Sequence, residues 1–309
     1  MLDDLPILGV CGWSGSGKTT LIEAVVARLC ARGLSVAVVK HHVHGIDVDR
    51  PGKDSDRFFR AGADVLLQGP GEQLARTHDA GGDGLTPVFL TLIRRHDLVL
   101  VEGHKGTPLP KVWLAGEAEG GPPPQCTGIL TVLPPDSGRV DALMGLLDEW
   151  LPRQWLKTPV FGCLMAGARE VEGTVNSLRE LCEIVVTAGA GAFRADVSDC
   201  LHLPDVPDAA GPVASLLAAM RWAPRASWLV AAGDIPPPSP DRMRWLLSTR
   251  APGVWATLPR SATDSGPEPL PAHYDFRARL LLERLAAEGS AHLSEIASSE
   301  KVITPLASC

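Results

Sequence analysis

Residues Gly12-Trp13-Ser14-Gly15-Ser16-Gly17-Lys18-Thr19 have the spacing G-x-x-x-x-G-K-T. That octet has the chemistry of a polyphosphate cradle. Its glycines let the backbone curl until successive N–H groups point inward, and a following helix adds partial positive charge at its N-terminus. Lys18 would reach the outer phosphates, and the Thr19 hydroxyl would ligate Mg²⁺. Such a motif is meaningful only between a strand and a helix. Ile7-Leu8-Gly9-Val10-Cys11 is apolar and short enough for a buried strand, and residues 20–29 carry apolar positions at helical spacing, with Gly33 as a stop. A nucleoside triphosphate is therefore the expected ligand.

Two further groups could join this chemistry. Glu102 closes the apolar run Asp97-Leu98-Val99-Leu100-Val101-Glu102-Gly103. In an open parallel sheet ligands lie beyond the carboxyl ends of strands, where a carboxylate can hold Mg²⁺ or orient a nucleophile. Lys40-His41-His42-Val43-His44 follows the second apolar run, Leu34–Val39. Three histidines in four positions could bind a transition metal, but no further Cys or His stands at ligand spacing. An anion-contacting cluster fits better, and a solvated polar loop is the plain alternative. Asp47–Ser55 is dense in groups suited to Mg²⁺ and phosphate.

The elements that must position these groups read as alternating strands and helices. A short helix is expected near Ser55–Ala61, a strand at Asp64–Leu67, a loop over 69–83 and a helix at Thr86–Arg95. The strand ending at Glu102 comes next, then a flexible excursion at Gly116–Gln125, a strand at Gly128–Leu133 and a helix at Val140–Leu151. Alternation of this kind implies a parallel sheet with right-handed crossovers. Pro152 to Pro159 reads as a domain boundary. Beyond it strands are expected at Val160–Met165, Ile184–Thr187, Trp228–Ala232 and Gly253–Leu258. Helices are expected at Thr174–Cys182, Pro212–Trp222, Asp241–Leu247 and Asp275–Ala287. A length of 309 residues fits two such α/β domains.

Composition narrows the partners. Lys and Arg number 14 against 19 Asp and Glu over residues 1–150, and 15 against 17 over the rest, within a net charge of −7. Neither half is basic, so nucleic acid is not an expected partner. The seven cysteines are scattered and never form C-x-x-C; Cys11, Cys30, Cys163 and Cys182 sit inside apolar patterns. Buried, reduced thiols in a cytoplasmic protein are expected. The acidic start Met1-Leu2-Asp3-Asp4 is unlike a signal peptide, and no apolar stretch approaches membrane-spanning length, so no membrane is expected.

Five segments taken together carry a resemblance. They are Gly12–Thr19, Lys40-His41-x-x-His44, Asp49-x-Pro51-Gly52-Lys53-Asp54-Ser55, Ala61-Gly62-Ala63-Asp64 and Asp97–Gly103. In order and spacing they resemble the molybdopterin-guanine dinucleotide biosynthesis protein B family over about residues 5–150. The resemblance implies a phosphate-loop NTPase-type parallel sheet domain at 1–153. It also implies a GTP-binding, weakly hydrolysing, homodimeric adapter that assists a separate guanylyltransferase joining GMP to molybdopterin. By that likeness Gly12 to Thr20 (Gly12, Ser14, Gly15, Ser16, Gly17, Lys18, Thr19 and Thr20) cradle GTP. Lys40, His41, His44, Asp49, Lys53, Asp54 and Glu102 line the site, with Lys18 and Glu102 as its catalytic pair and Thr19 and Glu102 as its Mg²⁺ ligands. Guanine preference comes from the resemblance alone, because the [NT]-K-x-D base-reading tetrapeptide is absent from the chain.

Residues 160–300 are similar to the guanylyltransferase itself, which implies a second, Rossmann-like α/β nucleotidyltransferase-like domain over 159–309. The similarity rests on Leu203-Pro204-Asp205, Gly211-Pro212, Leu229-x-x-x-Gly233-Asp234-Ile235-Pro236 and Glu268–Tyr274. It implies that Asp234 holds Mg²⁺ and that Asp205 is a second acidic contact. The transferase family opens with L-x-G-G-x-S-x-R-M-G-x-x-K. Here the matching stretch is Leu164-Met165-Ala166-Gly167-Ala168-Arg169-Glu170-Val171-Glu172-Gly173, and no lysine follows until Lys301. Transfer of GMP needs positive charge on the α- and β-phosphates, and Glu170 and Glu172 supply the wrong sign. The expectation is a degenerate rear domain in an accessory protein. The rivals are a bifunctional enzyme whose phosphate loop supplies the missing cations, and a phosphate-loop kinase of small molecules.

Overall fold

Three runs of the front half, Ile7–Gly12, Leu98–Glu102 and Lys111–Leu114, have almost no access to solvent, and such runs are those of strands covered on both faces. The computed structural model describes the chain apart from residues 1, 3, 41–49, 79–83, 117–120, 166–170, 191–196, 198, 233–236, 262–265 and 308–309. The front half runs β1 (Ile7–Gly12), α1 (Lys18–Ala31), β2 (Val36–Lys40), α2 (Asp54–Arg60), β3 (Val65–Gly69), β4 (Glu72–Arg76) and α3 (Thr86–Ile93). It continues with β5 (Leu98–Glu102), β6 (Lys111–Leu114), β7 (Ile129–Leu133) and α4 (Arg139–Leu156). Its main sheet is wholly parallel in the order β2-β5-β1-β6-β7. β1 is central, so the phosphate-loop motif emerges from the middle of the sheet's carboxyl edge.

In the front half the structure departs from the sequence reading in three places. Residues 69–83, expected as loop, contain β4, which pairs antiparallel with β3 around Pro70-Gly71. Gly71 takes φ 79°, which glycine adopts without strain. The ribbon leaves Leu66 and Leu67 exposed, so it lacks the alternating burial that marks a strand in sequence. β6 was not anticipated either. It is four residues long and starts with Lys111, which is fully buried because its ammonium donates to the carbonyls of Thr107, Leu109 and Thr127. Finally, α4 runs straight through Pro152 to Leu156. Burial of Leu151, Gln154 and Trp155 outweighs the hydrogen bond that Pro152 cannot donate.

The rear half runs β8 (Val160–Met165), α5 (Val171–Arg179), β9 (Val185–Ala188), β10 (Leu201–Leu203), α6 (Gly211–Trp222), β11 (Ser227–Ala232) and α7 (Pro240–Ser248). β12 (Ala256–Thr257), β13 (Ala272–Tyr274), α8 (Arg279–Ala287) and β14 (Val302–Ile303) complete it. The sheet order is β10-β9-β8-β11-β13-β12-β14, and β13 runs antiparallel to both neighbours. The other pairings are parallel, giving a mixed sheet. The helix expected from Asp275 starts as a tight turn at Phe276–Ala278, capped by the Asp275 carboxylate accepting from the Arg277 N–H, before α8 proper.

The two sheets meet base to base. Asp97, fully buried just ahead of β5, accepts from Trp255 Nε1 at 2.7 Å and Lys301 Nζ at 2.8 Å. Trp255 and Lys301 lie just ahead of β12 and β14. Lys301 also donates to the Gly33 carbonyl at 2.6 Å, and Arg277 Nε donates to the His96 carbonyl at 3.0 Å. Burial alone would push the Asp97 carboxyl up, but hydrogen bonds from Lys301, Trp255 and Ser35 outweigh it and hold the group below its ordinary value. A cleft of about 710 Å³ at this seam is walled by Pro6 and Ile93 on one side and by Phe161, Pro224 and Phe276 on the other. One apolar core runs continuously through both halves. Each carboxyl strand edge consequently faces away from the other half. Strands of five or six residues at ~3.3 Å each put each edge roughly 17–20 Å from the seam.

Candidate functional site

The phosphate-loop residues occupy the turn between β1 and α1. Gly15 and Gly17 take φ 79° and 83°, left-handed values that glycine adopts without strain, and Gly17 caps α1. Gly12 has no room for a side chain, since a Cβ would come within 2.5 Å of Ser16 Oγ and 2.9 Å of the Leu114 carbonyl. Ser16 Oγ is buried without a hydrogen-bond partner among the described residues, as expected of a hydroxyl whose partner is a ligand oxygen. Ser14 and Thr20 are exposed at the two ends of the turn. Arg139, at the start of α4, clamps the outside of the loop. It donates to the Ser16 carbonyl at 2.8 Å and also to the carbonyls of Ala115 and Pro134.

Lys18 Nζ donates to the Trp13 carbonyl at 2.6 Å and the Gly12 carbonyl at 3.4 Å, so the loop's own oxygens hold the ammonium at its mouth. Burial lowers its pKa, Glu102 opposes that, and Lys105 and Lys40 add to the lowering. Glu102, carried to the edge by β5, accepts from Thr19 Oγ1 at 3.1 and 3.2 Å and pairs with Lys40 Nζ at 3.3 Å. Thr19, Glu102, Lys18 and Lys40 thus converge at one edge of the sheet. A hydroxyl and a carboxylate side by side at the first turn of a helix form a hard oxygen donor set, which fits Mg²⁺ held beside a phosphate.

Other predicted residues stand apart. Lys53 is exposed ahead of α2, and the Asp54 carboxylate faces Arg57 at 3.9 Å; among the described residues neither is joined to the phosphate loop. The acid of that segment with a fixed structural role is Asp56, which sequence reasoning did not single out. It accepts from the Gly52 amide, Arg60 and Arg76, and those bonds hold its pKa down at about 2. His41, His44 and Asp49 lie outside the described residues, so the histidine cluster is not placed. Among the described residues no group of three potential metal ligands occurs. Cys11, Cys163 and Cys182 are buried as expected, whereas Cys30 faces solvent from α1.

In the rear half Asp205 accepts from Ser215 Oγ at 2.6 Å, and Glu268 pairs with Arg242 at 2.6 Å. Asp234 and residues 166–170, including Arg169, lie outside the described residues. The one lysine after residue 157 is Lys301, and it is committed to Asp97 at the seam. Among the described residues no helix is long and apolar enough to cross a membrane.

Comparison with known proteins agrees with this two-part architecture. Residues 7–132 match the family described as molybdopterin guanine dinucleotide synthesis protein B, and residues 163–302 match a MobA-like NTP transferase domain. The chain is 33% identical to the molybdopterin-guanine dinucleotide biosynthesis adapter protein of Haemophilus influenzae, over 49% of this chain and 92% of that protein. The Escherichia coli adapter protein is 31% identical, over 48% and 95%. Among solved structures, molybdopterin-guanine dinucleotide biosynthesis protein A from Archaeoglobus fulgidus aligns with 48% of this chain and 83% of its own at 21% identity, with a TM-score of 0.38. The chain belongs to the molybdopterin-guanine dinucleotide biosynthesis adapter protein family and carries a MobA-like NTP transferase domain behind the adapter domain.

Proposed function

We propose that this protein is a GTP-binding accessory factor of molybdenum cofactor biosynthesis, assisting attachment of GMP to molybdopterin by a separate guanylyltransferase. In this reading the front half holds GTP·Mg²⁺. Gly12 to Thr20 wrap the phosphates, Lys18 and Lys40 supply charge, and Thr19 and Glu102 hold the metal, which would screen the phosphates and polarise the terminal one. By the family resemblance His41, His44, Asp49, Lys53 and Asp54 complete that site around bound nucleotide. The rear half keeps the transferase scaffold, including Asp205 and Asp234, for binding molybdopterin or its dinucleotide, or for docking the complete enzyme.

The observation that carries the reading is the contrast in lysines between two edges that face opposite ways. Lys18 and Lys40 stand at the front edge, while the rear half spends its single lysine on the seam with Asp97. The base-to-base packing also sets Lys18 of a chain far from that chain's own rear edge, which speaks against the bifunctional alternative. GMP transfer from GTP to molybdopterin, assayed with Mg²⁺ and the isolated protein, tests this. Transfer is expected only when a guanylyltransferase is added, and robust turnover without one would refute the reading.

A further inference from the structure

β5 does not end quietly. After Glu102 the chain takes two left-handed residues in succession, Gly103 at φ 88° and His104 at φ 52°. For a residue with a side chain that conformation is uncommon and is kept only where its surroundings impose it. The turn is pinned to β1 at the root of the phosphate loop: the Gly103 amide donates to the Val10 carbonyl at 3.0 Å, and the Cys11 thiol donates to the Gly103 carbonyl at 2.9 Å. The outcome is placement of Lys105. Its ammonium lies 4.0 Å from the ring centroid of Trp13, a residue of the phosphate loop, and 5.4 Å from that of Trp113. The two indoles pack edge to face at 5.7 Å, so Trp113 braces Trp13 as a platform.

The other cations around the loop are bound to oxygen. Lys18 is on the loop carbonyls, Lys40 on Glu102, and Arg139 on main-chain carbonyls. Lys105 differs, because among the described residues no carboxylate pairs with it and an aromatic face alone holds its charge. A cation over an indole is held more weakly than one donating to a phosphate oxygen. Lysine's flexible four-carbon stem can swing the charge between such positions without backbone movement. Lys105 is also close enough to help depress the pKa of Lys18, so two like charges share one mouth.

We propose that Lys105 is a second phosphate-binding lysine of the front site, parked on Trp13 in the nucleotide-free protein and transferred to the outer phosphates when a nucleoside triphosphate enters. The proposal rests on the nucleotide reading above and adds a residue and a movement to it. Lys105 thereby sets a preference for tri- over monophosphates, and Trp13 reports its departure.

The test is titration of wild type, Lys105→Met and Lys105→Arg with fluorescent GTP, GDP and GMP analogues in Mg²⁺, alongside tryptophan emission with unlabelled GTP in wild type and Trp13→Phe. Lys105→Met should weaken the triphosphate by about 10- to 100-fold, the diphosphate less and the monophosphate hardly at all, with Lys105→Arg restoring most of the loss. GTP should change the emission of wild type and not of Trp13→Phe. A Lys105→Met protein of wild-type melting temperature that binds GTP unchanged, or loses all three nucleotides equally, would overturn the proposal. A wild type that binds none of the three would instead remove the nucleotide reading, and this proposal with it.

Discussion

The carboxyl edge of the front sheet and that of the rear sheet are built on comparable parallel strands, yet they gather opposite chemistry. At the front, a glycine turn, a helix start and a strand-end carboxylate bring Lys18, Lys40 and Thr19 together around Glu102. At the rear, Asp205 and Glu268 are already bound within the protein, Asp205 to Ser215 and Glu268 to Arg242. A shared scaffold thus says little about activity, which depends on the charges left free at its edge. The seam shows where the rear half's remaining lysine went. Lys301 satisfies Asp97, and Asp97 immediately precedes the strand that Glu102 ends.

The largest expected effect comes from breaking that seam. Asp97→Ala leaves Lys301 buried without its counter-ion and should cost about 3–5 kcal/mol in denaturant unfolding. A loss below ~1 kcal/mol would mean that the halves do not rely on this contact. Because the native Asp97 pKa lies below that of the unfolded chain, its contribution is complete above about pH 4 and fades as pH falls through the native pKa. The Asp97→Ala stability profile should therefore lack that acid limb.

Next in size, Lys18→Ala should weaken GTP binding by about 10- to 150-fold by calorimetry while leaving the melting temperature close to wild type. Retained affinity would move the nucleotide away from the front edge and erase the contrast.

The rear half offers a third measurement. His273 is fully buried on β13 with neither ring nitrogen hydrogen-bonded, and burial, with Arg250 nearby, pushes its pKa down to about 3. The unfolded chain takes up this proton below about pH 6.5 and the native protein does not until about pH 3, so stability falls as pH drops through that window. Wild type should lose about 2 kcal/mol more than His273→Leu between pH 7 and pH 5. Equal losses would make His273 an accessible, titrating group, as in a working acid–base site.

The smallest effect is expected from Thr19→Ala, which should cut the Mg²⁺-dependent part of GTP affinity by about tenfold, in line with one lost hydroxyl contact. Identical Mg²⁺ dependence in variant and wild type would remove Thr19 from the metal site.

Much of this contrast is legible in the residues alone. β1, α1, β2 and β5 are long, apolar and punctuated by glycine, so their periodicity places the phosphate loop and Glu102 correctly. β6 is hidden because four residues beginning with a lysine resemble no strand until the carbonyls that hold Lys111 are known. β4 is hidden because neither face of its ribbon is buried. The base-to-base packing is hidden as well, since Asp97, Trp255 and Lys301 are far apart in sequence and only the folded chain joins them. Lys105 and Arg139 escaped notice for a related reason. A lone cation carries no spacing signal, and its role comes from the indole or carbonyls that the fold brings to it.

Titrating the full-length protein with GTP and Mg²⁺ by isothermal calorimetry, in wild type and Lys18→Ala, addresses the contrast most directly. One GTP site per chain, weakened by about 10- to 150-fold in Lys18→Ala, is the predicted result. Two sites per chain, or a single site of unchanged affinity in Lys18→Ala, would place a functioning triphosphate grip at the rear edge and contradict the account.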